Sequence, residues 1–161
     1  HDVEDKNAGK SGGTDPVTIA DRESEEALSE GLAKLAPGVP IVGEEGAHAD
    51  PTVLERLKGP CWIVDPIDGT TNFVAGLPLC AVSIGITDAR SGARMGAVVL
   101  DPFRDECFTA WRGAGAWLNG EPMRCSAVSD LSDAVVCGCS PKLHAVSSAL
   151  RGLAVLMPQV W

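Results

Sequence analysis

The stretch Trp62-Ile63-Val64-Asp65-Pro66-Ile67-Asp68-Gly69-Thr70-Thr71-Asn72-Phe73 decides the fold of this chain. Its apolar beginning predicts a buried strand, Cys61–Asp65, and Pro66 predicts a bend directly after that strand. Gly69 and the two threonines that follow it predict the start of a short helix. The strand, the bend and the helix bring acidic, glycine and hydroxyl residues into one turn of the chain.

Three acidic residues near this turn are candidate metal ligands. Asp65 and Asp68 flank the bend, and Glu44 follows a predicted short strand and a glycine. Pro66 has no N–H group, so we expect the carbonyl of Ile67 to be free and to face outward. Carboxylate and carbonyl oxygens are the ligands that Mg²⁺ prefers. The alternative interpretation of a lone strand-end aspartate is a turn former, but the grouping of several ligands favours a metal site.

The second half of the turn offers donors for a phosphate group. Glycine lets a ligand approach the backbone closely, and the N–H groups of Gly69 and Thr70 are expected at a helix start, where phosphate oxygens bind. The Thr70 hydroxyl is also placed to hold a water molecule beside a metal. Its alternative role is that of a helix cap, which would not account for the acidic residues before it. The turn therefore predicts metal-assisted chemistry on a phosphate ester.

The composition is that of a globular protein. The chain has 161 residues, 45% hydrophobic and 22% charged, so one domain with a core is expected. The net charge of −9 argues against a nucleic-acid partner and an anionic membrane surface, and no apolar run is long enough to cross a bilayer. Six cysteines without C-x-x-C spacing favour buried free thiols of a reducing compartment, the cytoplasm, over disulfides. Because the chain begins with His1, we expect a start that is either processed or incomplete and that lacks targeting information for this reason.

The beginning of the chain predicts a polar segment and then a helix. Residues 1–14 are expected to be mobile, and residues 15–161 to form one α+β portion. Thr18-Ile19-Ala20-Asp21 predicts a capping box at the start of a helix that Pro37-Gly38 ends. The spacing predicts that one stripe of this helix is buried, formed by Leu28, Gly31, Leu32 and Leu35.

Strands joined by hairpins follow. Ile41-Val42 predicts a short strand, Val53–Lys58 a short helix, and Asn119-Gly120 a tight hairpin turn. The other predicted elements are the strands Cys80–Thr87, Gly96–Leu100, Glu106–Trp111, Val135–Cys139 and residues 155–157, and the helix Leu143–Leu153. Hairpin-connected strands with flanking helices indicate a layered α+β structure.

These residues carry a resemblance to a known family. The stretch Asp65–Phe73, the acidic Gly43-Glu44-Glu45 and the segment Val17-Thr18-Ile19-Ala20-Asp21 match, in order and spacing, three motifs of the inositol monophosphatase family of magnesium-dependent, lithium-inhibited phosphatases. The resemblance extends from Lys10 to the Asn119-Gly120-Glu121 turn and, more loosely, to the end of the chain. It implies the N-terminal half of a layered αβ sandwich of the inositol monophosphatase and sugar phosphatase type.

The resemblance implies a set of magnesium ligands. Glu44 and Asp65, with the carbonyl of Ile67, would hold a first magnesium ion. Asp65 and Asp68 would hold a second, and Glu44 with Asp21 would help to position a further metal ion or its waters. Magnesium is therefore the expected cofactor.

The resemblance also implies which residues act on the substrate. Thr70, paired with Asp21, would orient the attacking water. The resemblance implies that Glu44 is the third catalytic residue. The N–H groups of Gly69 and Thr70 would bind the substrate phosphate. The residues expected at the substrate are Ile67, Asp68, Gly69 and Thr70.

The implied reaction is the hydrolysis of a phosphate monoester by in-line attack of water. Inositol monophosphate is the expected substrate, because relatives that act on histidinol phosphate or nucleotide bisphosphates more often carry lysine where Thr71 stands. A small phosphorylated molecule is thus the expected partner. A homodimer is expected of the full-length protein.

Family members continue into a second half that this sequence lacks. That half carries a Trp-Asp motif for the second magnesium and polar residues that choose the substrate alcohol, whereas this sequence stops at Trp161. We therefore expect the chain alone to bind magnesium weakly, to hydrolyse substrate negligibly and to expose apolar strand surface. The alternative to an enzyme is a non-catalytic metal- and phosphate-binding or interaction module. Within the enzyme class, the alternatives are a histidinol-phosphate phosphatase and a nucleotide bisphosphate phosphatase.

Overall fold

The structure is a computed structural model, and it describes residues 3–5, 16–88 and 93–135. Three elements predicted near the end of the chain lie outside the described residues, except that Val135 itself is described. They are Val135–Cys139, Leu143–Leu153 and residues 155–157.

The chain divides into two compact units. The first comprises His1–Lys6 and Pro16–Met123, and the second comprises Asn7–Asp15 and Arg124–Trp161. In the described part of the second unit, Leu131–Asp133 forms a short 3-10 helix. The secondary structure around the predicted site belongs to the first unit. The extent of the single α+β portion that we expect stays a prediction.

The first unit combines a large sheet, a small sheet and short helices. Its strands are β1 (Val3–Asp5), β2 (Pro16–Thr18), β3 (Ile41–Gly43), β4 (Trp62–Asp68), β5 (Ala81–Thr87), β6 (Arg94–Asp101), β7 (Glu106–Trp111), β8 (Gly115–Leu118) and β9 (Glu121–Pro122). Its helices are α1 (Ile19–Leu35), α2 (Glu44–Ala49) and α3 (Thr70–Val74), with a 3-10 helix over Pro51–Lys58. The predicted α+β class is confirmed.

The large sheet has seven strands in the order in which the chain forms them, from β3 to β9. β3 and β4 are parallel, because α2 and the 3-10 helix carry the chain back across the sheet. The later neighbours are antiparallel, and the predicted hairpin at Asn119-Gly120 joins β8 to β9. Within this sheet the parallel pair brings the ends of two strands to the same edge, side by side.

The small sheet consists of β1 and β2, which pair antiparallel with Val3 opposite Thr18. Part of the segment 1–14 that we expect to be mobile therefore forms a strand. The mobility of the rest of that segment stays a prediction. Arg22 on α1 forms an exposed ion pair with Glu4 on β1, and such a pair adds little stability.

Helix α1 begins and ends as predicted. The Thr18 hydroxyl accepts the backbone N–H of Asp21, and the Asp21 carboxylate accepts the backbone N–H of Thr18, which completes the capping box. The predicted buried stripe is only partly correct, because Leu32 is buried whereas Leu35 is 74% exposed. Leu35 is the last residue of the helix, and periodicity indicates which residues share a face but not how far the packed layer extends along it.

Strand β4 is longer than predicted and contains a bulge. It continues past Asp65 to Asp68, and Asp65 lies opposite Ser83 whereas Asp68 lies opposite Ala81. Three steps along β4 therefore match two steps along β5, so β4 contains one extra residue. Residues opposite each other share a face of the sheet, and Ser83 and Ala81 share one face because they are two apart. The bulge thus puts Asp65 and Asp68 on the same face, although their spacing in a regular strand would separate them.

The core lies around β3, β4 and α1, and its buried apolar residues are Leu32, Val42, Cys61, Val64 and Ile67. The described cysteines are free, as predicted, although Cys61 is buried and Cys125 is exposed. Among the described residues, no helix has the length and apolar character that a bilayer-spanning helix needs.

Gly69→Ala should destabilise the fold more than Gly76→Ala. Both glycines have positive φ angles, 94° and 73°, so both variants acquire about 1 kcal/mol of backbone strain. A Cβ atom at Gly69 would also lie 2.8 Å from the Leu79 carbonyl oxygen, whereas no described atom lies within 4 Å of one at Gly76. We expect urea denaturation to show a loss of about 2–3 kcal/mol for Gly69→Ala. Equal losses in the two variants would mean that the close approach of Leu79 imposes no constraint.

Candidate active site

The parallel pair β3–β4 brings Glu44 next to Asp65. Gly43 lies opposite Val64 in the register of the two strands. The residues that follow each of these, Glu44 and Asp65, therefore stand side by side at the same edge of the sheet. Glu44 begins α2 and is exposed, whereas Asp65 stays within β4 and is partly buried.

The three carboxylates interact electrostatically at this edge. Burial raises the pKa of Asp65 to about 7, assisted by the negative charges of Glu44 and Asp68 and by a side-chain hydrogen bond with Glu44, while a backbone hydrogen bond from Ile67 opposes the shift. Buried Asp65 Oδ1 accepts no hydrogen bond from the described residues. An ionised acceptor that is buried without a donor, among like charges, is unfavourable unless a proton or a metal cation neutralises it.

The acidic residues suit a hard divalent cation without forming a finished metal site. Among the described residues, no group of three or more His, Cys, Asp or Glu side chains is arranged to hold a metal ion. The predicted ligand set of Glu44, Asp65 and Asp68 therefore stays a prediction. It fits Mg²⁺ because the donors are carboxylate oxygens and one of them is buried without a partner.

Thr70 and Asp21 form the hydrogen bond that the sequence predicts. Asp21 is 1% exposed, and its Oδ1 lies 3.2 Å from the Thr70 hydroxyl oxygen. Its Oδ2 accepts the backbone N–H and the hydroxyl of Thr18, at 2.7 and 2.6 Å. The carboxylate that caps α1 is therefore the carboxylate that holds Thr70.

The Ile67 carbonyl is not free, contrary to expectation. The Thr70 hydroxyl lies 3.0 Å from it and can donate its one hydrogen either there or to Asp21. This contact arises because Thr70 begins α3 and its side chain turns back over the residues before the helix. A carbonyl oxygen has two lone pairs, so this contact by itself does not prevent a ligand from binding there.

Gly69 permits the turn from β4 into α3. It is the N-cap of α3 and has φ 94°, ψ 35°, a conformation that glycine adopts readily. The first amides of a helix have no acceptor within that helix, so the N–H groups at this start are suited to an anion. Their role in binding phosphate stays a prediction.

The sequence analysis missed Glu25. Its carboxylate on α1 accepts the backbone N–H groups of Glu45 and Gly46, at 2.8 and 2.9 Å. Two signals point to it: Glu25 lies four residues after Asp21 and so shares its helix face, and Gly43 before α2 has no side chain that can cap that helix.

Asp65→Asn should stabilise the metal-free chain more at neutral than at acidic pH. In the folded chain Asp65 keeps its proton to about pH 7, whereas an unfolded aspartate ionises near 3.8. The folded state thus binds more protons between these values, and its stability falls as pH rises through them. We expect the stability gain of the variant to grow by about 1–2 kcal/mol from about pH 4 to about pH 8, allowing for partial solvent screening.

Urea denaturation of the metal-free protein at several pH values provides the measurement. Asp105→Asn is the matched control, because Asp105 is exposed and its φ of 56° is tolerated by asparagine. The control should show no such growth. A pH-independent difference for Asp65→Asn would show that neither burial nor the neighbouring carboxylates raise the pKa of Asp65.

The chain is similar to proteins of one known family. The model of the inositol monophosphatase family matches residues 1–150. The inositol-1-monophosphatase of Rhizobium meliloti (strain 1021) is 43% identical over 136 residues, which cover 82% of this chain and 47% of that protein. The chain therefore spans about half the length of the curated relatives that it matches.

Solved structures show the same likeness. The native extragenic suppressor protein SuhB from Bartonella henselae superposes with a TM-score of 0.81 at 34% identity, covering 99% of this chain and 58% of that one. A staphylococcal inositol monophosphatase-1, in a lithium chloride-soaked inhibitory complex, gives 0.66 at 27% identity, covering 81% of this chain and 46% of that one. From its sequence, motifs and fold, the chain belongs to the inositol monophosphatase family of phosphatases.

Proposed function

We propose that this chain supplies the metal- and phosphate-binding part of a magnesium-dependent phosphatase that hydrolyses inositol monophosphate. One observation supports the proposal: Glu44 and Asp68 lie close enough to Asp65 for their charges to help raise its pKa, and Thr70, two residues after Asp68, bonds through its hydroxyl to buried Asp21. The names of the relatives support a phosphatase that acts on inositol monophosphate.

The metal-binding part consists of oxygen donors at the sheet edge. Glu44, Asp65, Asp68 and the Ile67 carbonyl would hold magnesium. When bound, magnesium supplies positive charge that activates water and stabilises the leaving oxygen. The carboxylates contribute negative charge and, in Asp65, a buried oxygen without a hydrogen-bond donor.

Thr70 and Asp21 are suited to orient the attacking water. When the Thr70 hydroxyl donates to Asp21 or to the Ile67 carbonyl, its oxygen lone pairs are left to accept a hydrogen from water. The water then presents its own lone pair to the phosphorus. Because Thr18 donates twice to Asp21, that carboxylate is held in place and Thr70 is held with it.

Gly69 and Thr70 are proposed to bind the phosphate through their backbone N–H groups. Gly69 contributes by its left-handed conformation, which turns the chain from β4 into α3 so that these N–H groups stand at the helix start. Thr71 stands where relatives acting on histidinol phosphate or nucleotide bisphosphates more often carry lysine, which favours inositol monophosphate.

Three further properties are proposed. Inhibition by lithium is proposed because a staphylococcal relative was studied in a lithium chloride-soaked inhibitory complex. A cytoplasmic location is proposed because the described cysteines are free thiols, and a homodimer is proposed from the family resemblance.

A non-catalytic metal- and phosphate-binding module is the second candidate. The observation that favours it is that this chain spans only about half the length of the curated relatives that it matches. Turnover separates the two candidates, because a binding module would take up cation and phosphate without releasing phosphate from an ester.

A chimaeric enzyme tests the proposed function. This chain would replace the N-terminal portion of the Rhizobium meliloti relative, over the 136 aligned residues. We expect magnesium-dependent phosphate release from inositol 1-phosphate, because the C-terminal portion comes from the relative and the site residues from this chain. A folded chimaera that binds Mn²⁺ but releases no phosphate would support the binding module instead.

The Thr70 variants sharpen this test. In the chimaera, Thr70→Ala should lower kcat by about 10²–10⁴-fold, the usual contribution of a group that positions a transferred proton, with Mn²⁺ affinity nearly unchanged. Thr70→Ser keeps the hydroxyl and should retain most activity, and Thr52→Ala, at an exposed 3-10 helix, is the control. Full activity of Thr70→Ala would leave Thr70 with only a structural role.

A further inference from the structure

Helix α2 is capped from another helix. Its N-cap residue, Gly43, makes no side-chain cap. The two carboxylate oxygens of Glu25 on α1 instead accept the N–H groups of Glu45 and Gly46, at 2.8 and 2.9 Å. Hydrogen bonds from N–H groups to an ionised carboxylate are stronger than neutral ones. These two hold the start of a helix that has only six residues.

The glycine at position 43 makes room for this carboxylate. Gly43 has φ −92° and ψ 156°, an extended conformation that any residue adopts. A Cβ atom built there would lie 2.2 to 2.4 Å from the Glu25 carboxyl atoms. The backbone conformation therefore does not require glycine at this position. Glycine is required because a larger residue would occupy the space of the Glu25 carboxylate.

Asp21 and Glu25 each accept hydrogen bonds from a segment that carries residues of the proposed site. They lie four residues apart on α1, so they share one face of the helix. Asp21 bonds to Thr70, the first residue of α3 after β4, and Glu25 bonds to the start of α2 after β3. One turn of α1 thus joins both segments that carry the proposed site.

We infer that Glu25 is a positioning residue, which fixes Glu44 at the first position of α2 and thereby prepares it as a metal ligand. The inference rests on the proposed function, since it assigns Glu44 to the metal. Glu25 itself binds the backbone of α2, so it acts through Glu44. Without it, the short helix loses two hydrogen bonds at its start, and Glu44 samples more orientations.

The test combines amide exchange without metal and Mn²⁺ binding, both on the 161-residue chain. In Glu25→Ala we expect the Glu45 and Gly46 amides to exchange at least about tenfold faster, and the Mn²⁺ dissociation constant to rise about five- to tenfold, in line with other residues that orient metal ligands. Glu25→Gln keeps one carbonyl acceptor and should fall in between. Glu26→Gln, one residue further along α1 and exposed, should match the wild type.

Gly43→Ala provides an independent variant that leaves Glu25 in the sequence. Its Cβ must displace the Glu25 carboxylate, so Mn²⁺ binding should weaken as it does in Glu25→Ala. In the double variant the clash is gone, and binding should be no weaker than in Glu25→Ala alone. Effects that simply multiply would overturn the inference, because they would show that the two residues act independently.

The outcomes separate the inference from the proposed function. A wild-type chain that binds no Mn²⁺ would refute the proposed function, and the inference with it. Suppose instead that the wild type and Glu25→Ala have the same Mn²⁺ dissociation constant, although the Glu45 and Gly46 amides exchange faster in the variant. This result would refute the inference but not the proposed function. Weakened Mn²⁺ binding together with faster exchange at Glu45 and Gly46 would support both.

Discussion

The Asp21 carboxylate is the constraint on which the rest of the site depends. It is almost fully buried and accepts hydrogen bonds from the Thr18 amide and hydroxyl and from the Thr70 hydroxyl. A buried carboxylate is tolerated only when donors surround it. The start of α1 and the start of α3 must therefore stay close together for the protein to fold. The same bonds that satisfy Asp21 orient the hydroxyl that we propose faces the substrate.

At the proposed metal-binding edge, by contrast, a buried carboxylate oxygen has no hydrogen-bond donor among the described residues. Asp65 and Asp68 share a face because of the β4 bulge, and the parallel register sets Glu44 beside them. Burial and like charges raise the pKa of Asp65, and one of its buried oxygens lacks a donor. A carboxylate with a strongly shifted pKa, close to other carboxylates, is more typical of a functional site than of a purely structural one. The fold thus combines Asp21, whose oxygens have hydrogen-bond donors, with Asp65, one of whose buried oxygens has none in the described part of the chain.

The sequence predicts much of this arrangement. The capping box at Thr18–Asp21, the short helix after Gly69 and the hairpin strands are local features, and residue type and spacing determine them. The hydrogen bond between Asp21 and Thr70 is predicted because the family motifs contain both residues. The exposure of Leu35 is not, since the extent of a packed layer depends on tertiary contacts.

Features that depend on pairing between distant segments could not be predicted. The β4 bulge is defined only by the register against β5, and proline at position 66 indicates a bend where the strand in fact continues. Strand β1 becomes visible only through its pairing with β2. Glu25 shares a helix face with Asp21, but only the packing of α1 against α2 shows that its carboxylate accepts two N–H groups.

Anomalous diffraction from crystals soaked in Mn²⁺ tests the central claim most directly, because it locates the cation without assuming its ligands. We expect a peak at the sheet edge, with oxygens of Glu44, Asp65 and Asp68 at roughly 2.0–2.6 Å, the range of hard cations bound by oxygen. A cation bound elsewhere in the chain, with these three carboxylates uncoordinated, would contradict the account.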